Sequence, residues 1–244
     1  MKRQLLSFGL ITATTLTTAM HAQPFQASGI TEPICDVMLA PSVPGLVGAW
    51  KLKEGDFVKE GEPIIELDKK LEELETERRR LAMENKKSDW EALKTLFAKS
   101  SISVKKEELD KAETDYKIAA IEFEMAAEQL RKRSITAPCS GFVAEIARDP
   151  GESCQAYQPV VRVVDTRQCY LVCNIEAKTT GRLKPGQRVK LEIEATSSPL
   201  PLQGKITFIS PIVDPASGLQ KIKVLFENAD AHVRPGVAGK AIFE

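Results

Sequence analysis

Residues 45–68 read GLVGAWKLKEGDFVKEGEPIIELD, and residues 141–164 read GFVAEIARDPGESCQAYQPVVRVV. At a constant offset of 96, Gly45, Val47, Gly55 and Pro63 fall on Gly141, Val143, Gly151 and Pro159. Ile64-Ile65 falls on Val160-Val161, Val58 falls on Cys154, and Ala40-Pro41 echoes Ala137-Pro138 just upstream. The residue types matter more than their number, because Gly and Pro mark backbone turns that other residues fit poorly. Each copy reads as apolar pair, turn, apolar pair, the pattern of short strands joined tightly. Neither copy has enough strands to be stable alone, so the two are expected to close into one small β-sandwich.

What lies between the copies has a different composition. Residues 69–132 contain no Gly or Pro and carry 15 basic and 15 acidic side chains in 64 positions. In the second half of this stretch Leu109, Ala112, Tyr116, Ala119, Phe123, Ala126 and Leu130 recur at alternating spacings of 3 and 4. That is an unbroken heptad seam, the period of a left-handed coiled coil. In the first half Leu71, Leu74 and Leu81 hold one seam, and Trp90, Leu93 and Phe97 shift it, with Asn85 and Ser88 predicting looser packing between them. The break at Lys99-Ser100-Ser101-Ile102-Ser103 predicts a reversal there, with Ser103 as N-cap of the second helix. The whole is expected to be an antiparallel helical hairpin over 69–132, about 45 Å long, projecting from the sandwich. Its balanced charges read mostly as a solvated face, and its tip as the natural contact point for something distant.

From residue 169 onward the pattern is β. Leu171, Cys173 and Ile175 alternate with polar or exposed positions, as do Val189, Leu191 and Ile193, and Ile222, Val224 and Phe226. Pro185-Gly186 and Pro235-Gly236 are turn dipeptides. Five or six short strands of this kind predict a small antiparallel barrel over 169–244. Residues 29–40 read as one more strand and are expected to join it.

At the other end, Lys2-Arg3 precedes a Thr-diluted apolar run from Leu5 to Ala19, and Ala22 offers a small residue before Gln23. This is the layout of a cleaved secretory signal over 1–22. The chain has 34 basic and 34 acidic residues, and removing Lys2 and Arg3 leaves 32 against 34, a charge of −2. That balance excludes a strongly basic nucleic-acid binder.

The order half-motif, hairpin, half-motif, barrel resembles the periplasmic adaptor, or membrane fusion protein, family (HlyD-like, and the adaptors of RND-type efflux). The words that carry the resemblance run along most of the chain. They are Leu52-Lys53-Glu54-Gly55-Asp56 with Val58-Lys59-Glu60-Gly61, Ile135-Thr136-Ala137-Pro138 through Gly141, and Leu183-Lys184-Pro185-Gly186-Gln187. Gly204-Lys205-Ile206, Ile209-Ser210-Pro211, Val213-Asp214-Pro215 and Arg234-Pro235-Gly236 complete them. The resemblance implies an elongated, mixed α and β fold. A lipoyl-like β-sandwich (41–68 plus 134–165) is split by the coiled-coil hairpin and followed by the β-barrel (29–40 plus 169–244). It implies a periplasmic subunit of a tripartite efflux or secretion system. Homo-oligomeric rings, often of six, would link an inner-membrane transporter (RND or ABC type) to an outer-membrane TolC-like channel. The hairpin tip, with Leu96, Ile102 and Ser103, would meet the channel and the barrel rim the transporter. The family's tip pattern has an Arg where this chain has Ala92, and Tyr157 stands where the repeat expects Gly, as at Gly61.

There is no Gly-x-Ser-x-Gly, no His-Glu-x-x-His and no complete phosphate loop, and one histidine, His232, remains after residue 22. The reading is therefore of a protein without catalytic residues, cofactor or metal. Glu66-Leu67-Asp68-Lys69 resembles the modified-lysine motif of lipoyl carriers, so a carrier modified at Lys69 is the alternative, together with a pump-independent periplasmic scaffold. Cys169 and Cys173 lie about 13 Å apart on one strand, too far to bond to each other. Alternation places Cys35 and Cys173 both inside the barrel, where they either pair or remain small buried hydrophobes.

Overall fold

The computed structural model describes residues 25–99, 105–194 and 200–243. The signal segment expected over 1–22 lies outside them. The chain runs β1 (Phe25–Leu39), β2 (Gly45–Trp50), β3 (Phe57–Val58), β4 (Pro63–Leu67), α1 (Lys70–Lys99), α2 (Lys106–Arg131) and β5 (Ser134–Thr136). It continues β6 (Gly141–Ile146), β7 (Ser153–Cys154), β8 (Val161–Glu176), α3 (Ala177–Thr180), β9 (Arg188–Ile193), β10 (Leu200–Ile209), β11 (Leu219–Glu227) and β12 (Ala238–Phe243).

The two repeat copies close on each other. Gly45 pairs with Cys154, and Val58 pairs with Gly141. An offset of 96 turns the first pair into the second, so the copies exchange strands reciprocally about a pseudo-twofold axis. The matched apolar positions Val47/Val143, Val58/Cys154 and Ile64-Ile65/Val160-Val161 are all buried in one core. One sheet has the order β5-β4-β2-β7; the other contains β3, β6 and β8 and extends to β1. The repeated glycines do two different jobs. Gly55 and Gly151 sit in turns at φ 89° and 91°, a region that favours glycine. Gly141 lies in a strand, where a Cβ would fall 2.6 Å from the Val164 carbonyl oxygen, so close backbone approach requires its bare Cα.

Six antiparallel strands, in the order β1-β12-β9-β10-β11-β8, form the barrel, and pairing of β8 with β1 closes it. Closure removes the free sheet edges that a flat sheet would expose. The strand-by-strand alternation read from the sequence points Leu171, Leu191, Ile193, Ile222, Val224 and Phe226 inward, where they pack with Ile206 and Phe243.

Strand β1 departs from expectation. At 15 residues it is about 50 Å long and serves both domains. Its first part pairs with β12 and with β8 in the barrel, but residues 35–39 pair with 161–165, and Val37 and Leu39 pack on the sandwich core. Only the first part of 29–40 therefore belongs to the barrel. This corrects the cysteine pairing as well. Cys173 lies opposite Gly29 and Cys35 opposite Asp165, about 20 Å apart along the strand. Cys35 is instead bonded to Cys139, 104 residues away, while Cys173, Cys169 and Cys154 are free and buried.

Between the sandwich halves α1 and α2 pack chiefly on each other. Asp68 Oδ1 accepts from the Lys70 N–H at 3.2 Å at the start of α1. Helix α2 begins at Lys106 with Lys105 in the N-cap position, and no side chain caps it. Ser103, the expected cap, therefore lies before the cap position and outside the described residues. Glu107 and Glu108 in the first turn complement the positive end of the helix dipole instead.

Candidate functional site

Above its base the hairpin packs chiefly on itself, so its faces are the candidate site. The seam of α2 runs as its heptads predict, from Leu109 to Leu130, with Ala119 and Ala126 fully buried. The seam of α1 does not. Leu71, Leu74 and Leu81 point outward, with Leu71 77% exposed. The contacting side is Glu72, Thr76, Arg79, Met83, Trp90, Leu93 and Phe97, half-buried at heptad spacing once Lys86 is included. The physical reason is continuity. Trp90, Leu93 and Phe97 must face the α2 seam, and an uninterrupted 30-residue helix cannot rotate its stripe lower down without an inserted stutter.

Polar groups consequently occupy the lower seam. Arg79 bonds Glu75 at 2.8 Å on its own helix and reaches Glu122 on the other. Arg133 joins Glu72 and donates to the Pro44 carbonyl at 3.0 Å, fastening the base of the hairpin to the sandwich. The Thr76 hydroxyl is buried there with no hydrogen-bond partner. The Arg78 and Arg79 guanidiniums hold the Glu75 carboxyl down to about 2. Higher up, the Trp90 ring stacks on Tyr116 at 5.4 Å between centroids.

Two outward features remain on the hairpin. The first is a groove of about 470 Å³ near the tip end, with Ala92, Leu93 and Ala112 among its apolar lining and Asp89, Glu108 and Asp115 on its walls. Leu96, expected at the tip, is 51% exposed one turn beyond Ala92. Ile102 and Ser103, the other expected tip residues, lie outside the described residues. The second is a pair of exposed apolar edges, Leu74 and Leu81 on α1 and Ile118, Ile121 and Met125 on α2. The Arg79–Glu122 and Trp90–Tyr116 contacts set Leu81 at the height of Ile121 and Met125, so the two edges lie level on opposite sides of the hairpin. Sequence reading missed the α1 edge because it assigned those leucines to the seam. At the far end of the barrel, Ile212 is exposed on a loop stiffened by Ser210 and Asp214, whose side chains accept from the Ile212 and Ala216 N–H groups.

Lys69 opens the hairpin. Its ammonium lies 3.1 Å from Glu66 and 3.9 Å from Glu73. Burial pulls the Glu66 carboxyl up, but Lys69 and Lys51 outweigh it and leave that carboxyl below its ordinary range. The lysine is thus engaged in an ion-pair network at a helix start and does not stand free on a hairpin turn. Among the described residues, no group of three His, Cys, Asp or Glu side chains converges as a metal site, and no helix is long and apolar enough to cross a membrane.

Residues 170–244 match the CusB-like β-barrel domain family. An uncharacterized protein of Haemophilus influenzae is 25% identical over 221 residues, 88% of this chain, and the chain spans 57% of that relative's length. A MacA–MexA chimeric protein carrying the Pseudomonas aeruginosa MexA α-hairpin domain superposes with a TM-score of 0.77 at 21% identity, over 90% of this chain and 80% of the other. The membrane fusion protein Spr0693 from Streptococcus pneumoniae R6 gives 0.69 at 16% identity, over 90% and 99%. The C-terminal part of this chain is thus similar to the CusB-like β-barrel domain, and the chain as a whole shares its fold with the MacA–MexA chimera and the membrane fusion protein Spr0693.

Proposed function

We propose that this protein is the exported adaptor subunit of a tripartite efflux or secretion system. In this reading it links an inner-membrane transporter, of RND or ABC type, to an outer-membrane TolC-like channel. Its work is mechanical and not enzymatic. The observation that carries the reading is the split sandwich: its insertion is a pair of helices that pack on each other and leave their length free to reach a distant partner. The barrel at the other end supplies a second contact, with Ile212 on its stiffened loop.

The level apolar edges support a homo-oligomer. Leu74 and Leu81 of one copy meet Ile118, Ile121 and Met125 of the next, a head-to-tail contact that closes into a ring when the rotation permits. All hairpins then point the same way.

Site-specific photo-crosslinking in cells tests the assignment. A crosslinker at Leu96 is expected to capture an outer-membrane channel, and one at Ile212 an inner-membrane transporter. Repeated capture of neither, with the protein folded and exported, would overturn the reading. Sedimentation of the Leu81→Glu and Ile121→Glu variants checks the ring separately. Each single variant is expected to lower the association state of the wild-type protein.

A further inference from the structure

The rim of the barrel that points away from the sandwich is built from two segments. Strand β8 leaves the sandwich at Val161 and reaches this rim at Glu176, where α3 and the turn into β9 follow. The loop from β10 to β11 lies beside it, because Leu219 pairs with Glu176. The Thr180 hydroxyl bonds the Gln220 side-chain carbonyl, and the Gln220 amide donates to the Ser210 carbonyl, so the two segments are held as one surface. Asp214 stiffens the loop, accepting from the Ala216 N–H at 3.2 Å and from the Ser217 hydroxyl at 2.6 Å. On this stiffened loop two neighbouring aliphatic side chains, Ile212 and Val213, are exposed.

The charge of this rim is one-sided. Residues 176–188 and 210–221 contain Lys178, Arg182, Lys184, Arg188 and Lys221 against Glu176 and Asp214, five positive charges to two negative. All five cations are exposed, and none joins an ion pair among the described residues. The hairpin gives the contrast: Arg78, Arg79, Arg80, Lys117 and Arg131 each lie against a glutamate three or four residues away. Exposed aliphatic side chains among unneutralised cations match a surface of anionic headgroups over acyl chains. An acidic protein surface would answer the charge, but the start of the chain favours lipid. Strand β1 lies on the sandwich at residues 35–39, so its other end, Phe25 opposite Phe243, is at this rim. The 24 residues ahead of Phe25, with the apolar run from Leu5 to Ala19, therefore join the barrel here. A run of that kind is held in the membrane during export, which brings this rim to the lipid.

We propose that this rim docks directly on an anionic lipid bilayer. Lys178, Arg182, Lys184, Arg188 and Lys221 lie at the level of the headgroup phosphates, and Ile212 and Val213 enter the boundary with the acyl chains. The inference goes beyond the adaptor reading and does not rest on it, because the rim recognises lipid whether or not a transporter lies beside it.

Vesicle flotation of the exported form, from Gln23 onward, tests it. Vesicles of phosphatidylcholine alone are compared with vesicles in which part of it is replaced by phosphatidylglycerol. The protein is expected to bind the anionic vesicles at least about tenfold more tightly, and to lose that preference as salt screens the charges. The Lys178→Glu/Arg182→Glu and Ile212→Ser/Val213→Ser variants, all at exposed positions, are each expected to weaken binding about tenfold. Lys106→Glu/Lys111→Glu, exposed on the hairpin, is expected to leave it unchanged. Thermal melting by circular dichroism shows that each variant is folded. Equal binding to the two kinds of vesicle, or binding untouched by both rim variants, would overturn the proposal. So would a folded wild-type protein that binds neither vesicle, which would leave the rim to an acidic protein surface.

Discussion

The ring of Trp90 lies on that of Tyr116, with centroids 5.4 Å apart and planes 8° from parallel. This contact sets the rotation of α1, and every residue below it inherits the consequence. Trp90→Ala is expected to cost about 1–2 kcal/mol, the value of a half-buried aromatic pair. Leu74→Ala is expected to stay within about 0.5 kcal/mol, since its side chain is already in water. Urea unfolding followed by circular dichroism of the monomeric chain distinguishes them. A larger loss at Leu74 would show that the leucines form the seam after all.

Glu75 should make the hairpin pH-sensitive at its base. Its folded pKa is depressed to about 2 by Arg78 and Arg79. A depressed carboxylate favours the fold above its unfolded value, near 4.5, and that contribution is lost as pH falls toward 2. Carboxyl NMR titration is expected to place the Glu75 midpoint near the lower value. Glu75→Gln is expected to flatten the fall in helicity over that interval.

Gly141→Ala is a test of the reciprocal strand exchange. Its Cβ would meet backbone atoms of Val164 and Asp165 at 2.6 to 3.0 Å, and neither can swing aside. A loss of more than about 2 kcal/mol is expected. Gly55→Ala has open space around it and suffers only from its left-handed φ of 89°, so about 1–2 kcal/mol is expected. Equal midpoints in urea for wild type and the Gly141 variant would contradict the close approach.

Tyr157 holds a φ of 64° and is 80% exposed, where the matching position of the first copy is Gly61 at φ 80°. Replacing it removes backbone strain and little packing. Tyr157→Gly is expected to raise stability by about 0.5–1 kcal/mol, read as a higher melting temperature. A lower one would mean that the exposed ring has a partner within the chain.

The parts of this protein that were legible in advance are those in which neighbouring residues carry the signal. The offset repeat, the α2 heptads and the barrel alternation each follow a local period, and burial rewards that period wherever the chain goes. The parts that were not legible depend on a distant partner. Nothing near Leu71, Leu74 or Leu81 says which way they face; that is decided by Trp90 further along α1 and by Tyr116 on the other helix. Nothing near Cys35 says that β1 has left the barrel by then.

The linear order of residues thus determined the sandwich, its helical insertion and the barrel, because glycine, proline and apolar spacing act through local backbone geometry. Only the packed molecule decided which side of α1 meets α2, which cysteine meets Cys35 and where β1 leaves the barrel for the sandwich. Those choices turn on the register between segments brought together by folding, and register is a property of the pair and not of either strand or helix alone.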